Sequence, residues 1–323
     1  MLDALYAMPV NLAVFVFLFG CVGLDLLFGD PHDWPHPVRL IGRALAQLEG
    51  WARRCWLGPI VGGGLVVVGL AGLCFAAVLF LTGLPLIGEL LALYLGYAGL
   101  AWGCLLRETR AVLALLDEGD LPAARVHLAG LVSRDAPDMD EGEAYRALGE
   151  TLAENFNDGF VAPLFWLALF GPAALWAYKA VSTADSMWGY RTERFERVGK
   201  VGARLDDVLA WIPARLAAVC IWLAGWLMLR PSSLGRIARE ARTMDSPNAG
   251  WPMAAAAHAT RAGMGGPTRY FGAIKDKPRL GPDKPWSGDA IRALRRVLLL
   301  AAGLAAVFLV VVGSWLAWWR LGA

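Results

Sequence analysis

Ionisable residues are scarce in this chain. Asp, Glu, Lys and Arg make up 18% of its 323 residues, His occurs four times, and the formal net charge is +2. A soluble globular domain carries about 25% charged residues. The deficit, set against 57% hydrophobic content and a mean hydropathy of +0.49, excludes that class and marks an integral membrane protein. The near-neutral balance also argues against nucleic acid as a partner. Five cysteines (Cys21, Cys55, Cys74, Cys104, Cys220) form no CxxC pair and lie mostly in apolar runs, so they read as small core residues, not as disulfides or metal ligands. No P-loop, GxSxG or HExxH signature occurs, and no internal repeat or low-complexity tract.

What is present is a series of apolar runs of spanning length. Residues 10–28 form the first, without the basic lead and small-residue cleavage site of a signal peptide. Residues 60–81 and 84–106 are separated by little more than "TGLP", the mark of a tight antiparallel hairpin. Residues 297–319 end in "WLAWWR", where Trp315, Trp318, Trp319 and Arg320 suit an interface anchor. Two more segments, 160–181 and 208–229, are apolar but interrupted, the first by Pro163 and Gly171–Pro172, the second by Pro213 and Arg215. Such segments either span or re-enter, because broken backbone at membrane depth is tolerated where protein or a wet cavity surrounds it. The expectation is an all-α, polytopic helical bundle over residues 1–323 as a single membrane-embedded domain. The loop 230–296 carries 13 Lys/Arg against 5 acids and belongs on the cytoplasmic side.

Polar residues gather in four places. Asp25 and Asp30 end the first span, and prolines stiffen a turn holding His32 and His36 before Arg39. The two histidines have no third ligand at zinc spacing, so a proline-rich exit is the plain alternative to a binding site. Further on, Ser133 is placed to cap and a helical pattern begins at Glu141. Arg146, Glu150, Glu154 and Asp158 then recur every four residues, and the three acids at that spacing repel one another and call for a cation nearby, unless water bathes the face. Third, "DSMWGYRTERFERVGKVGARLDDV" (185–208) packs acids, cations and glycines between apolar helices. Arg204 and Asp207 stand at i and i+3 while Asp206 turns away, and Gly199 and Gly202 allow a turn close to an anion. Fourth, Asp245, Pro247 and Asn248 open a turn before an Ala-rich helix that "GMGGP" stops.

The motifs "GDPHDWPHPVRLIGR", "VSRD", "ETLAENFNDGFVAPLF", "AYKAVSTADSMWGYR", "ARLDDVLAWIPARL" and "SPNAGWP" with "GGPTRYFG" resemble, in content and order, the adenosylcobinamide-phosphate synthase family of cobalamin biosynthesis, called CobD or CbiB. The resemblance implies an enzyme of the bacterial inner membrane with its active site facing the cytoplasm. It would use ATP and Mg2+ to join adenosylcobyric acid, a corrinoid, to aminopropanol or its phosphate, in contact with membrane lipid and with other cobalamin-biosynthesis enzymes as possible partners. A carboxylate acylates an amine only after activation, and phosphorylation by ATP supplies an acyl phosphate. That step needs carboxylates on the metal, cations for the phosphoryl charge and a base near the amine.

On that basis Glu154, Asp158, Asp185 and Asp207 are the catalytic candidates, and Glu150, Glu154, Asp158, Asp206 and Asp207 the Mg2+ candidates. Lys179, Arg191 and Arg204 would clamp phosphate or carboxylate, Asn155 and Asn248 would recognise amides, and Asp30, His36, Arg39 and Arg134 would bind substrate or ATP. The stretch 185–208 is expected to work beside the helix carrying Glu150. The family pattern has Asn, Leu, Thr and His where this chain has Ser182, Ala184, Ala136 and Asp245, which leaves the amine substrate open. A membrane scaffold for corrinoid enzymes or a transporter are the alternatives, although a transporter should keep its acids at mid-membrane within paired repeats.

Overall fold

Uninterrupted apolar sequence becomes helix because lipid offers the backbone no hydrogen bonds, and many of the breaks coincide with Gly or Pro. The computed structural model describes residues 10–30, 36–270 and 272–322, with side chains from 12 to 319. His32, Pro31 and Pro35, and the Arg320 side chain, lie outside the described residues. The helices run α1 (Val10–Phe28), α2 (Pro37–Arg53), α3 (Pro59–Thr82), α4 (Gly88–Ala98), α5 (Trp102–Asp117), α6 (Leu121–Ala129) and α7 (Glu141–Phe156). After a π turn (Asn157–Val161) come α8 (Ala162–Trp188), α9 (Lys200–Leu209), α10 (Trp211–Leu227), α11 (Leu234–Ala241) and α12 (Gly250–Thr260). A hairpin, β1 (Met264–Tyr270) and β2 (Ala273–Leu280), precedes α13 (Gly288–Gly322).

The chain is an all-α polytopic membrane protein. Among the described residues four helices are long and apolar enough to cross a bilayer: Pro59–Thr82, Gly88–Asp117, Glu141–Trp188 and Gly288–Trp319. The pair Lys200–Leu209 and Trp211–Leu227, bent between the two, makes a fifth if counted as one broken span. Leu12–Phe28 is a shorter apolar helix.

Several boundaries differ from expectation. The span expected at 84–106 starts at Gly88, pauses at residues 99–101 and runs on to Asp117. The interruption expected in 160–181 is confirmed as a break at Gly171, whose φ of 83° and ψ of −178° only glycine takes readily, with Pro172 following. Asp140, not Ser133, caps α7: its Oδ1 accepts from the Glu143 amide at 2.7 Å while Glu143 accepts from the Asp140 amide at 3.0 Å. The Ala-rich helix ends on a left-handed Arg261, and "GMGGP" begins β1 instead of merely stopping α12.

Contacts cluster in two compact units. The first comprises Met1–Ala101, Ala162–Ala210 and Ala306–Ala323. Here α3 packs on α2, α8 and α9, and α1 on α4. Close approach depends on missing side chains: a Cβ on Gly63 would lie 1.9 Å from the Val198 carbonyl oxygen, and one on Gly199 1.8 Å from that of Trp188. Gly199 therefore serves close packing. The buried Trp176 indole is satisfied within this core, donating to the Leu95 carbonyl at 2.9 Å.

The second unit comprises Trp102–Val161 and Trp211–Ala305. Ala254 to Ala257 are fully buried in α12, which packs on α7, α10, α11 and the hairpin. Small side chains let these backbones approach closely. Trp102, Phe156 and Phe160 form a buried ring cluster with centroids 5.3 to 6.0 Å apart, each pair adding about 0.5–1.5 kcal/mol beyond area burial. The Trp286 indole donates to the Gly263 carbonyl at 2.7 Å, and its ring fills the space that a Cβ on Gly149 would need.

Candidate active site

The cation that the acidic stripe called for is Arg134. Glu150 is completely buried on α7, and its Oε2 accepts a hydrogen bond from Arg134 Nη2. Its Oε1 accepts from the Gly265 backbone amide at 2.7 Å. The stripe is therefore not a solvated face. Burial alone would push the Arg134 guanidinium down, but the charge and hydrogen bond of Glu150, with Tyr270 and Glu154 nearby, carry it above its ordinary value. A buried pair of this kind is held by geometry: removing either partner strands the other charge.

Gly265 and Gly266 both have positive φ, 81° and 79°, at an irregularity in the β1–β2 register. That conformation aims the Gly265 amide at Glu150. It also presents the Gly265 and Pro267 carbonyls to Arg146, which donates to them at 3.1 and 2.9 Å. Beside this turn is a pocket of about 120 Å³ whose wall includes Arg134, Arg146, Thr268 and Arg269, together with Asp135, Asp138 and Glu143. Asp138 is paired with Arg269 at 2.9 Å, and Asp135 accepts from the Gly272 amide at 2.7 Å. Arg146, by contrast, bonds only to carbonyls among the described residues, and no carboxylate there pairs with its charge.

Glu154 lies one turn beyond Glu150 and is half-buried. Its carboxylate feels the charges of Lys277, Glu150 and Arg134 but makes no hydrogen bond or ion pair among the described residues. The chain passes from α7 into the π turn at Asn157, and Asp158 in that turn accepts from the Asn157 side-chain amide at 2.7 Å. The Asn155 side-chain amide donates back to the Thr151 carbonyl at 3.0 Å. Asn248 is buried, and its Oδ1 accepts from Arg215 at 2.8 Å. Arg215 is itself held between the rings of Trp211 and Trp251, at 4.2 and 4.7 Å from their centroids. Asp245 pairs with Lys275 at 2.6 Å.

The remaining predicted residues belong to the first unit. Asp30 and His36 form a pair at 3.3 Å, and the His36 ring also caps α2 by accepting from the Val38 amide at 3.3 Å. Arg39 is exposed on that helix. Lys179 and Asp185 are half-buried on α8. A Cβ on Gly189 would lie 2.2 Å from Asp185 Oδ1, so the tight turn after α8 requires glycine there. Arg204 meets Asp207 at 3.7 Å as the spacing predicted, Arg191 adds its charge to Asp207, and Asp206 is half-buried.

Among the described residues no three His, Cys, Asp or Glu side chains stand together as a metal cage. Mg2+ bound with a nucleotide needs only one or two carboxylates, the phosphates and water supplying the rest. Glu154 meets that requirement, whereas both Glu150 oxygens are already committed. Arg146, Lys277 and the Gly265–Gly266 turn went unassigned in the sequence. Only the glycines of "GGPTRYFG" hinted at the last.

A class of protein is now defined: a helical membrane protein with a buried acid–guanidinium centre tied to a glycine turn. The CobD/CbiB protein family model matches residues 18–298. The cobalamin biosynthesis protein CobD of Pelobacter propionicus is 42% identical over 283 residues, 85% of this chain and 88% of that protein. CobD of Klebsiella pneumoniae is 38% identical over 311 residues, covering 91% and 95%. Cobalamin biosynthesis protein CbiB of Salmonella typhi is 38% identical over 286 residues, covering 84% and 86%. No solved structure matches the chain. The chain belongs to the CobD/CbiB family of cobalamin biosynthesis proteins.

Proposed function

We propose that this protein is an ATP-dependent amide ligase that joins adenosylcobyric acid to (R)-1-amino-2-propanol or its O-phosphate, giving adenosylcobinamide or its phosphate. The observation that carries this reading is the division of labour on α7. Glu150 is fixed by Arg134 and the Gly265 amide, while Glu154, four residues on, is uncommitted and set in the field of Lys277 and Arg134. Family membership and the ordered motifs support the same reading.

In the proposed reaction a propionate carboxylate oxygen attacks the terminal phosphorus of ATP, and ADP departs with the electrons of the broken P–O bond. The amine nitrogen then attacks the acyl carbon, loses its proton to a base, and phosphate leaves. Glu154 would hold Mg2+ together with nucleotide oxygens, and the ion when bound would neutralise phosphoryl charge. Arg134, Arg146 and Lys277 supply fixed positive charge where negative charge develops. Arg215 fixes the Asn248 carbonyl oxygen as an acceptor, which orients its amide toward an amide-rich corrinoid. Asp185, Asp206, Asp207, Lys179, Arg191, Arg204, Asp30, His36 and Arg39 keep the metal, phosphate and substrate roles that the resemblance implies. In this reading ATP and the corrinoid reach the site from the cytoplasm, and the excess of Lys and Arg in the loop 230–296 supports a site on that face of the inner membrane.

The test is amide synthesis by purified protein in nanodiscs with adenosylcobyric acid, either amine, ATP and Mg2+, read by mass spectrometry. Product that depends on both ATP and Mg2+ is expected. Its absence at saturating substrates, from protein that stays folded, would return the scaffold and transporter readings.

A further inference from the structure

The first unit carries a feature that amide synthesis does not use. Helix α2 is amphipathic: Ile41, Leu45, Glu49 and Ala52 are buried, while Leu40, Leu48 and Trp51 are exposed. It is pinned to α3 at one end, where a Cβ on Gly62 would lie 2.2 Å from the Ala52 carbonyl oxygen. Two turns further along α3, a Cβ on Gly69 would meet nothing within 4 Å. The two helices therefore touch at Gly62 and part beyond it, leaving an apolar groove of about 340 Å³ between Leu48 and Trp51 on one side and Leu65, Gly69 and Leu73 on the other. The helix α3 that forms its far wall is an apolar span with little of its surface covered by protein, so the groove opens where lipid chains are the solvent.

Positive charge collects at the pinned end. Both oxygens of Glu49 accept from Arg194, at 2.8 and 2.7 Å, which leaves Arg53 with only a 3.7 Å contact to the same carboxylate. Arg54 donates to the Gly50 carbonyl at 3.0 Å and pairs with no carboxylate among the described residues. Arg194 and Arg53 thus share one acid and Arg54 pairs with none among the described residues, next to Trp51 and the nearly fully exposed Trp56. An apolar slot ending in excess cation and indole at the start of a span complements one molecule class, a lipid with an anionic headgroup.

We propose that the groove between α2 and α3 seats one acyl chain of an anionic phospholipid, with its phosphate held by Arg53 and Arg54. The absence of a side chain at Gly69 makes the room. Native mass spectrometry of the detergent-solubilised full chain, titrated with phosphatidylglycerol or phosphatidylcholine, tests this. Wild-type protein should retain one phosphatidylglycerol at least 5-fold more tightly than phosphatidylcholine. Gly69→Leu should remove that binding step, Gly72→Leu on the same helix should leave it, and Arg53→Gln with Arg54→Gln should abolish the headgroup preference while the fold persists. Tight phosphatidylglycerol binding that survives Gly69→Leu would overturn the proposal. So would equal retention of both lipids by wild type, or a dimer that Gly69→Leu dissociates, since that would make a second copy the occupant.

Discussion

Glu150 and Glu49 are both carboxylates bonded to arginine, and they differ in how far the pair is removed from water. Arg134 and Glu150 are both buried, and the acid is also tied to a backbone amide 115 residues away in sequence. Glu49 is nearly buried too, but its partner Arg194 is 61% exposed. The same chemistry therefore does two jobs. In the second unit it is a fixed internal strut that shapes a glycine turn beside a pocket. In the first it is a surface clasp between α2 and the loop before α9, with surplus cation to spare. Solvent screening makes the clasp weak, and desolvation makes the strut sensitive to the loss of either half.

The strongest way to break the comparison is to orphan one charge. Arg134→Met or Glu150→Gln should destabilise the protein by about 3–5 kcal/mol, because each leaves a buried charge without its partner. The double variant should recover much of that loss. Thermal unfolding midpoints in detergent would check both, and single variants that melt like wild type would contradict the strut.

The next effect is on turnover. Glu154→Gln should lower amide synthesis on the order of 10²-fold while leaving the unfolding midpoint near wild type, because it removes charge stabilisation and not a packed pair. Asp207→Asn, in the other unit, should show the same split if the 185–208 stretch takes part in the reaction. Steady-state kinetics beside melting curves separates the roles, and near-wild-type turnover in both variants would exclude them from the chemistry.

The smallest effect sharpens the clasp. The hydrogen bond from Arg194 holds the Glu49 carboxyl below its ordinary value of 4.5, against the opposing effect of burial. A depressed carboxylate contributes stability above its unfolded pKa, near 4.5, and that contribution is lost as pH falls through the lower folded value. Hydrogen-exchange protection factors for residues 192–199 should therefore drop on acidification below about pH 4.5 in wild type. In Glu49→Gln they should already be reduced at neutral pH and show no such step.

Particular residues show why some of this was legible and some was not. The helices over 59–82 and 288–322 follow from unbroken apolar sequence, and the break at Gly171–Pro172 from the two residues least compatible with a continuous helix. The i, i+3 pairing of Arg204 with Asp207 is a local consequence of helix geometry. Local periodicity also showed that Glu150 needed a cation. It could not say that Arg134 would supply it, because a loop and a capping box separate the two and no repeat relates their positions. Nor could it separate Glu150 from Glu154, which share one face of one helix and differ only in what the rest of the chain brings to them. The change from α-helix to a π turn at Asn157–Val161 was equally out of reach, because a strict four-residue count does not allow for the residue that a π turn adds.

The sequence by itself determined the class of solvent, the helical architecture, the places where helices break and, through motifs in order, the family. These are properties of short windows, set by backbone hydrogen bonding in lipid and by the conformational limits of glycine and proline. The tertiary structure alone decided which acid is locked and which is left available, how the Gly265–Gly266 turn comes to face α7, and where α2 and α3 part to leave a groove. Each of those depends on desolvation and close approach between segments far apart in the chain, and no window of sequence contains both partners.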